Sequence, residues 1–114
     1  MKKELLEKIE EVAKNEGWVV TDEDETLLFS KCSPAGQDFN FSINTEGLET
    51  IEDVEEAIYE EYDNFDVSYE TYLWLDNTGH GKNGAPYDMK DLYEDMEACE
   101  NMIYDLSRAF LFNA

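Results

Sequence analysis

The sequence predicts an α+β fold: one helix, a three-stranded antiparallel sheet, then two or three helices packed on that sheet. Three observations carry the prediction. Leu5, Leu6, Ile9, Val12 and Ala13 share one helical face. Phe39, Phe41 and Ile43 alternate with Asn40, Ser42 and Asn44, the period of two that gives a strand one buried and one wet face. Met89, Leu92, Met96, Cys99, Ile103, Leu106 and Phe110 step by three and four, a seam at the heptad period. A chain of 114 residues holds one core and is too short for two, so residues 1–114 read as a single domain.

The first helix is expected over about residues 2–16, stopped by Gly17. Glu4 precedes Lys8 and Glu10 precedes Lys14 at the i,i+4 spacing that stabilises a helix by about 0.2–0.5 kcal/mol per pair. Strands follow over Trp18–Thr21, Thr26–Lys31 and Asp38–Asn44, with turns at Asp22-Glu23-Asp24-Glu25 and Ser33-Pro34-Ala35-Gly36; a meander is the simplest wiring. Thr50 suits the N-cap of a second helix, with Asp53 three residues on as a capping box and Ile51, Val54, Ile58 and Tyr62 as its buried stripe. Residues 67–76 fit a strand through Val67, Tyr69, Thr71 and Leu73, or a short helix with Tyr69, Tyr72 and Leu73 on one side; the helix is preferred. A glycine-rich loop, Asn77 to Pro86, then leads to a last helix that Asp88 can cap. Its seam reads either as a helix packed across the sheet or as a homodimer contact through Met89 to Phe110, aided by Tyr93, Met102 and Phe110-Leu111-Phe112.

Charge narrows the function. The chain has 29 acidic and 8 basic residues, net −21, yet is 42% hydrophobic, enough apolar surface to fold. Residues 1–31 hold five lysines and nine acids, net −4, whereas residues 32–114 hold three basic and twenty acidic residues, net −17. Between Glu46 and Asp66 there are ten acids and no Lys or Arg. That sign disfavours direct binding to nucleic acid or to anionic membrane and favours a basic protein surface. The N-terminal segment interleaves charges with leucines, so it reads as neither a signal peptide nor a membrane span, and a cytoplasmic protein is expected. Cys32 and Cys99 lie far apart in no metal-ligand spacing and read as two buried, inert thiols.

Motifs for chemistry fail on context. Gly79-His80-Gly81-Lys82-Asn83-Gly84 matches GxGxxG, but no βαβ unit surrounds it and Asp88 stands where a phosphate would sit. An EF-hand counted from Asp76 has His80 at its fifth position and Tyr87 at its twelfth. His80 is the only histidine, and the serines lack a nucleophile elbow. No catalytic residue, cofactor or metal site is expected. The candidate site is instead an acidic partner-binding surface: Asp53, Glu56, Glu60 and Asp63, helped by Glu52, Glu55, Glu61 and Asp66. A charged face is ordinarily only a solvated one. Here, however, Glu52, Glu56 and Glu60 repel one another at i,i+4, which a purely solubilising helix avoids by mixing signs. Carboxylates about 6 Å apart on a rigid helix resemble the charge interval of a nucleic-acid strand. Tyr59 and Tyr87 are candidate contact residues beside them.

The C-terminal half, from Phe65-Asp66 through Trp74-Leu75 and Gly84-Ala85-Pro86 to Leu92-Tyr93-Glu94-Asp95-Met96-Glu97, resembles the end of small acidic proteins encoded by phages and conjugative elements of Gram-positive bacteria. Ser68 and Tyr69 stand where those proteins often carry acids. The resemblance implies a mobile-element accessory protein, a group that includes anti-CRISPR and antirestriction inhibitors, and it implies no catalytic residues. The helix, three strands, helix order is also similar to the double-stranded-RNA-binding domain, but that domain needs Lys and Arg against phosphate. The expectation is a non-enzymatic, anti-CRISPR-like inhibitor: an acidic DNA mimic in the DNA- or PAM-binding cleft of a basic nucleic-acid-binding protein such as a CRISPR effector nuclease. The alternatives are an immunity protein or antitoxin capping a basic nuclease toxin, and an oligomeric accessory protein without mimicry.

Overall fold

A computed structural model of the chain describes residues 1–113. The fold is α+β: helix α1 (Lys3–Asn15), strands β1 (Val19–Glu23), β2 (Thr26–Cys32) and β3 (Asp38–Asn44), then helices α2 (Ile51–Asp63), α3 (Val67–Leu73) and α4 (Met89–Phe112). The strands form one antiparallel sheet in the order β1-β2-β3. Leu27 pairs with Ile43 and Phe29 with Phe41, so β2 and β3 put their apolar side chains on the same face. The helices cover that face: Leu5, Ile9 and Val12 of α1, Val54 and Ile58 of α2, and Ile103, Leu106 and Phe110 of α4 join Leu27, Phe29 and Ile43 in one buried cluster. The outward face presents Val19, Thr21, Leu28, Ser30, Asn40 and Ser42, a middle without a single charge.

Local chemistry explains the element ends. α1 closes in a Schellman pattern: Gly17, at φ +85°, donates to the Lys14 carbonyl and Trp18 to the Ala13 carbonyl. Lys31 adds a bond from Nζ to the Glu16 carbonyl at 2.9 Å, its ammonium 5.8 Å from the Trp18 ring. On α1 the ion pair that forms is Lys3–Glu7, at 4.0 Å on exposed side chains, rather than the expected Glu4–Lys8 and Glu10–Lys14. Long, solvated side chains gain too little from pairing to be held in one geometry. The first hairpin also differs from expectation. β1 runs on through Asp22 and Glu23, which pair with Leu27 and Thr26, and a two-residue turn at Asp24-Glu25 suffices because Asp24 takes φ +45°.

Residues 67–73 form the expected helix, with the expected three residues on one side of it. Tyr69, Tyr72 and Leu73 are all exposed, and Thr71 is the buried residue. The seam of α4 faces inward: from Leu92 to Phe110 its six residues are at most 2% exposed, and Met89 alone stands out at 56%. Those six side chains line the chain's own core and offer no surface to a second copy. Asp88 occupies the N-cap of α4 without a side-chain capping bond. Leu92, Met96 and Cys99 extend the core beneath α3 and the loop that follows it, with Phe39 and Phe65 bridging to the main cluster.

The loop between α3 and α4 is closed on itself. The backbone N–H groups of Gly79, His80, Gly81 and Lys82 donate to Asp76 O, Asp76 Oδ1, Tyr87 O and Trp74 O. A methyl group on Gly81 would collide with the Pro86 carbonyl oxygen, so glycine is required there for close approach. Four successive donors bonded within the loop leave the GxGxxG stretch without the open cradle a phosphate needs.

Candidate acidic interface

α2 starts where Thr50 Oγ1 accepts from Asp53 N at 3.2 Å and Asp53 Oδ2 accepts from Thr50 N at 3.0 Å, a complete capping box. Asp53 Oδ2 also accepts from Glu49 N at 3.0 Å. These backbone bonds pull its carboxyl below the ordinary aspartate value of 3.8. Val54 and Ile58 then fix the helix against the core, fully buried.

With that face inward, Glu52, Glu56, Glu60 and Asp63 lie exposed on the opposite side. At 3.6 residues per turn they share an arc of about 80° and a length of about 16 Å. Tyr59 rises at the edge of the arc, 44% exposed, and a shallow depression of about 400 Å³ runs between it and Glu55, Glu56, Glu60 and Asp63. The ring leans on Tyr62, centroids 5.6 Å apart, and Tyr62 on Tyr104 of α4 at 5.1 Å. This aromatic line ties the exposed tyrosine to the interior. Among the described residues the ion pairs are Lys3–Glu7 and Lys90–Glu94, so no cation neutralises the α2 stripe. The last turn of α2 has acids and no base, the reverse of what the helix dipole favours.

The eight candidate residues therefore divide. Glu52, Glu56, Glu60 and Asp63 form the stripe, and Glu55 flanks it half-buried. Asp53 caps α2. Asp66 caps α3, its Oδ1 accepting from Tyr69 N at 3.0 Å. Glu61 lies half-buried on the other side of the helix beside Ile43, Leu48 and Ala57; burial, then the Glu60 charge, pushes its carboxyl above the ordinary glutamate value of 4.5. Its spacing signalled this, because Glu61 follows Val54 by seven residues and Ile58 by three. Tyr59 stands at the edge of the stripe, level with its C-terminal half, and is the candidate tyrosine that the fold places beside these acids. Tyr87 lies elsewhere, stacked on His80 at 4.0 Å.

The thiols also divide. Cys99 is fully buried and its pKa is pushed up to about 12, first by burial and then by Asp95 and Glu70. Cys32 is exposed, contrary to expectation, because it ends β2 on the outward side of the sheet. Among the described residues, no group of three or more His, Cys, Asp or Glu is arranged to hold a metal ion and no helix is long and apolar enough to cross a membrane. No protein-family model, curated protein or solved structure matches the chain.

Proposed function

We propose that the chain is a non-enzymatic inhibitor that presents α2 as a mimic of DNA to the basic cleft of a nucleic-acid-targeting defence enzyme, in the cytoplasm of a bacterial host. The observation that carries the reading is the stripe of Glu52, Glu56, Glu60 and Asp63: four exposed carboxylates on one rigid face, with no cation paired to them among the described residues. The arrangement opposes helix stability through like-charge i,i+4 pairs and through acids at the C-terminal turn. It suits a site built to grip phosphate, where arginines and lysines already converge. Tyr59 supplies a rigid amphipathic anchor of the kind that dominates binding energy, while the acids steer encounter. The resemblance to mobile-element accessory proteins agrees with this role.

The test reverses the stripe without touching a cap. Glu52, Glu56 and Glu60 are exposed and bond to no backbone group, so the triple change to Lys leaves the fold intact, whereas reversing Asp53 would remove the capping box. Tagged parent and triple variant are used to capture proteins from nuclease-treated lysate of a CRISPR-bearing host, with elution in rising salt. The expected result is a stoichiometric nucleic-acid-binding enzyme, retained by the parent, displaced by its DNA and absent with the variant. Retention of the same enzyme by the triple variant would sink the proposal. Recovery of a nuclease toxin would assign the surface to an immunity protein instead.

A further inference from the structure

A second surface is not explained by acidity. α3 and the first turns of α4 enclose a groove of about 560 Å³ with Thr71 and Leu75 at its floor and Tyr72, Met89 and Tyr93 as its walls. Tyr72 is 70% exposed, Met89 56% and Tyr93 39%, an unusual concentration of open apolar surface on a chain of net charge −21. Thr71 Oγ1 already donates to the Val67 carbonyl at 2.7 Å, so its hydroxyl makes no demand on an occupant. The rim is acidic: Glu94 and Glu97 line it beside Lys90. Lys90 sits 4.0 Å from Glu94, and Glu97 has no ion-pair partner among the described residues.

Aromatic faces, a thioether and an unpaired carboxylate together specify a long apolar stem that ends in a cation. The faces of Tyr72 and Tyr93 attract positive charge, Met89 adapts its shape to an alkyl chain, and a carboxylate binds guanidinium through two parallel bonds. Arginine meets all three requirements better than lysine, because its planar head also stacks. A second copy of this chain is the wrong occupant, since each brings a charge of −21 to an acidic rim. We infer that this groove docks an arginine-bearing segment of a partner protein, the arginine stem against Tyr72, Met89 and Tyr93 and its head at Glu97. None of these residues belongs to α2, so the groove is an anchor separate from the acidic stripe.

The test is an NMR titration of the whole chain with a synthetic peptide of leucine and arginine, and with versions carrying lysine or glutamate in place of arginine. The expected result is a shift of the Met89 methyl and the Tyr72 and Tyr93 ring signals with the arginine peptide, weaker with lysine and absent with glutamate. Tyr72→Ala and Glu97→Gln, both at exposed positions, should each weaken arginine-peptide binding about tenfold, while Glu52→Gln changes it little. Unchanged affinity in Tyr72→Ala and Glu97→Gln, with shifts spread over α2, would reduce the effect to general charge and overturn the inference. A dimer in sedimentation that Tyr72→Ala dissociates would also overturn it, by making a second copy the occupant. The readout is confined to α3 and α4, so it is independent of whether α2 enters a DNA-binding cleft.

Discussion

Asp95 is a carboxylate on the inward side of α4, 5% exposed between Leu92 and Cys99. It reaches across the fold to the turn after β2, where Oδ2 accepts from Ser33 Oγ at 2.7 Å and Oδ1 from Ala35 N at 3.0 Å. Ser33 Oγ in turn accepts from Gln37 N at 3.0 Å, so one side chain fixes a whole turn against a distant helix. Asp95→Ala would leave a buried hydroxyl and a partly buried N–H unmet, and the expected loss is about 2–3 kcal/mol in denaturant unfolding. The sequence held half of this information. Asp95 follows Leu92 by three and precedes Cys99 by four, which places it on the flank of the seam and marks it as a polar residue in need of partners. Which partners could not be read, because Ser33 lies 62 residues away and nothing local links the two.

At the scale of an element, α2 separates residues that build the helix from residues that use it. Thr50→Ala removes a cap whose hydroxyl accepts from Asp53 N, and should lower stability by about 1 kcal/mol. Glu56→Gln relieves repulsion with Glu52 and Glu60 and should raise stability by roughly a few tenths of a kcal/mol. Chemical denaturation of both variants checks the opposite signs. Most elements were legible because their apolar period was clean, as in Phe39, Phe41 and Ile43, or because a capping signal stood beside it, as with Thr50 and Asp53. β1 extends past its expected end because Asp22 and Glu23, turn residues by local preference, pair with Leu27 and Thr26. α3 was legible as a helix, but which of its sides is buried was not. Seven residues rich in tyrosine contain no clean stripe, and the floor position went to Thr71, which hides its hydroxyl on its own backbone. The groove beside it was therefore invisible until α3 and α4 were placed together.

For the molecule as a whole, acid strength should make stability depend on pH. Glu61 and Glu70 have carboxyls raised above 4.5, each by burial first and then by a neighbouring acid, Glu60 and Asp66 respectively. A raised folded-state pKa means that the native chain takes up these protons before the unfolded chain does, so stability grows as pH falls from neutrality toward those values. Asp53 and Asp76 have the opposite sign. Backbone donors lead the lowering of Asp53, and the Thr78 hydroxyl leads that of Asp76, both below 3.8. Their contribution is present above 3.8 and is lost as pH falls through the lowered values. Thermal unfolding across pH should show Tm rising as pH falls from 7 toward the carboxylate range and turning over below about 3.8, with added salt raising Tm most at pH 7. A Tm that falls steadily from pH 7 downward would contradict this. The charge-free middle of the sheet's outer face gives the charge a further role. Negative charge is concentrated in residues 32–114, with ten acids between Glu46 and Asp66, while the middle of the sheet's outer surface carries none. The molecule is thus an electric lever, and a positive field applies a torque to it as well as a pull. Approaching a cationic surface, it turns before it touches, so that the sheet trails and an acidic flank arrives first.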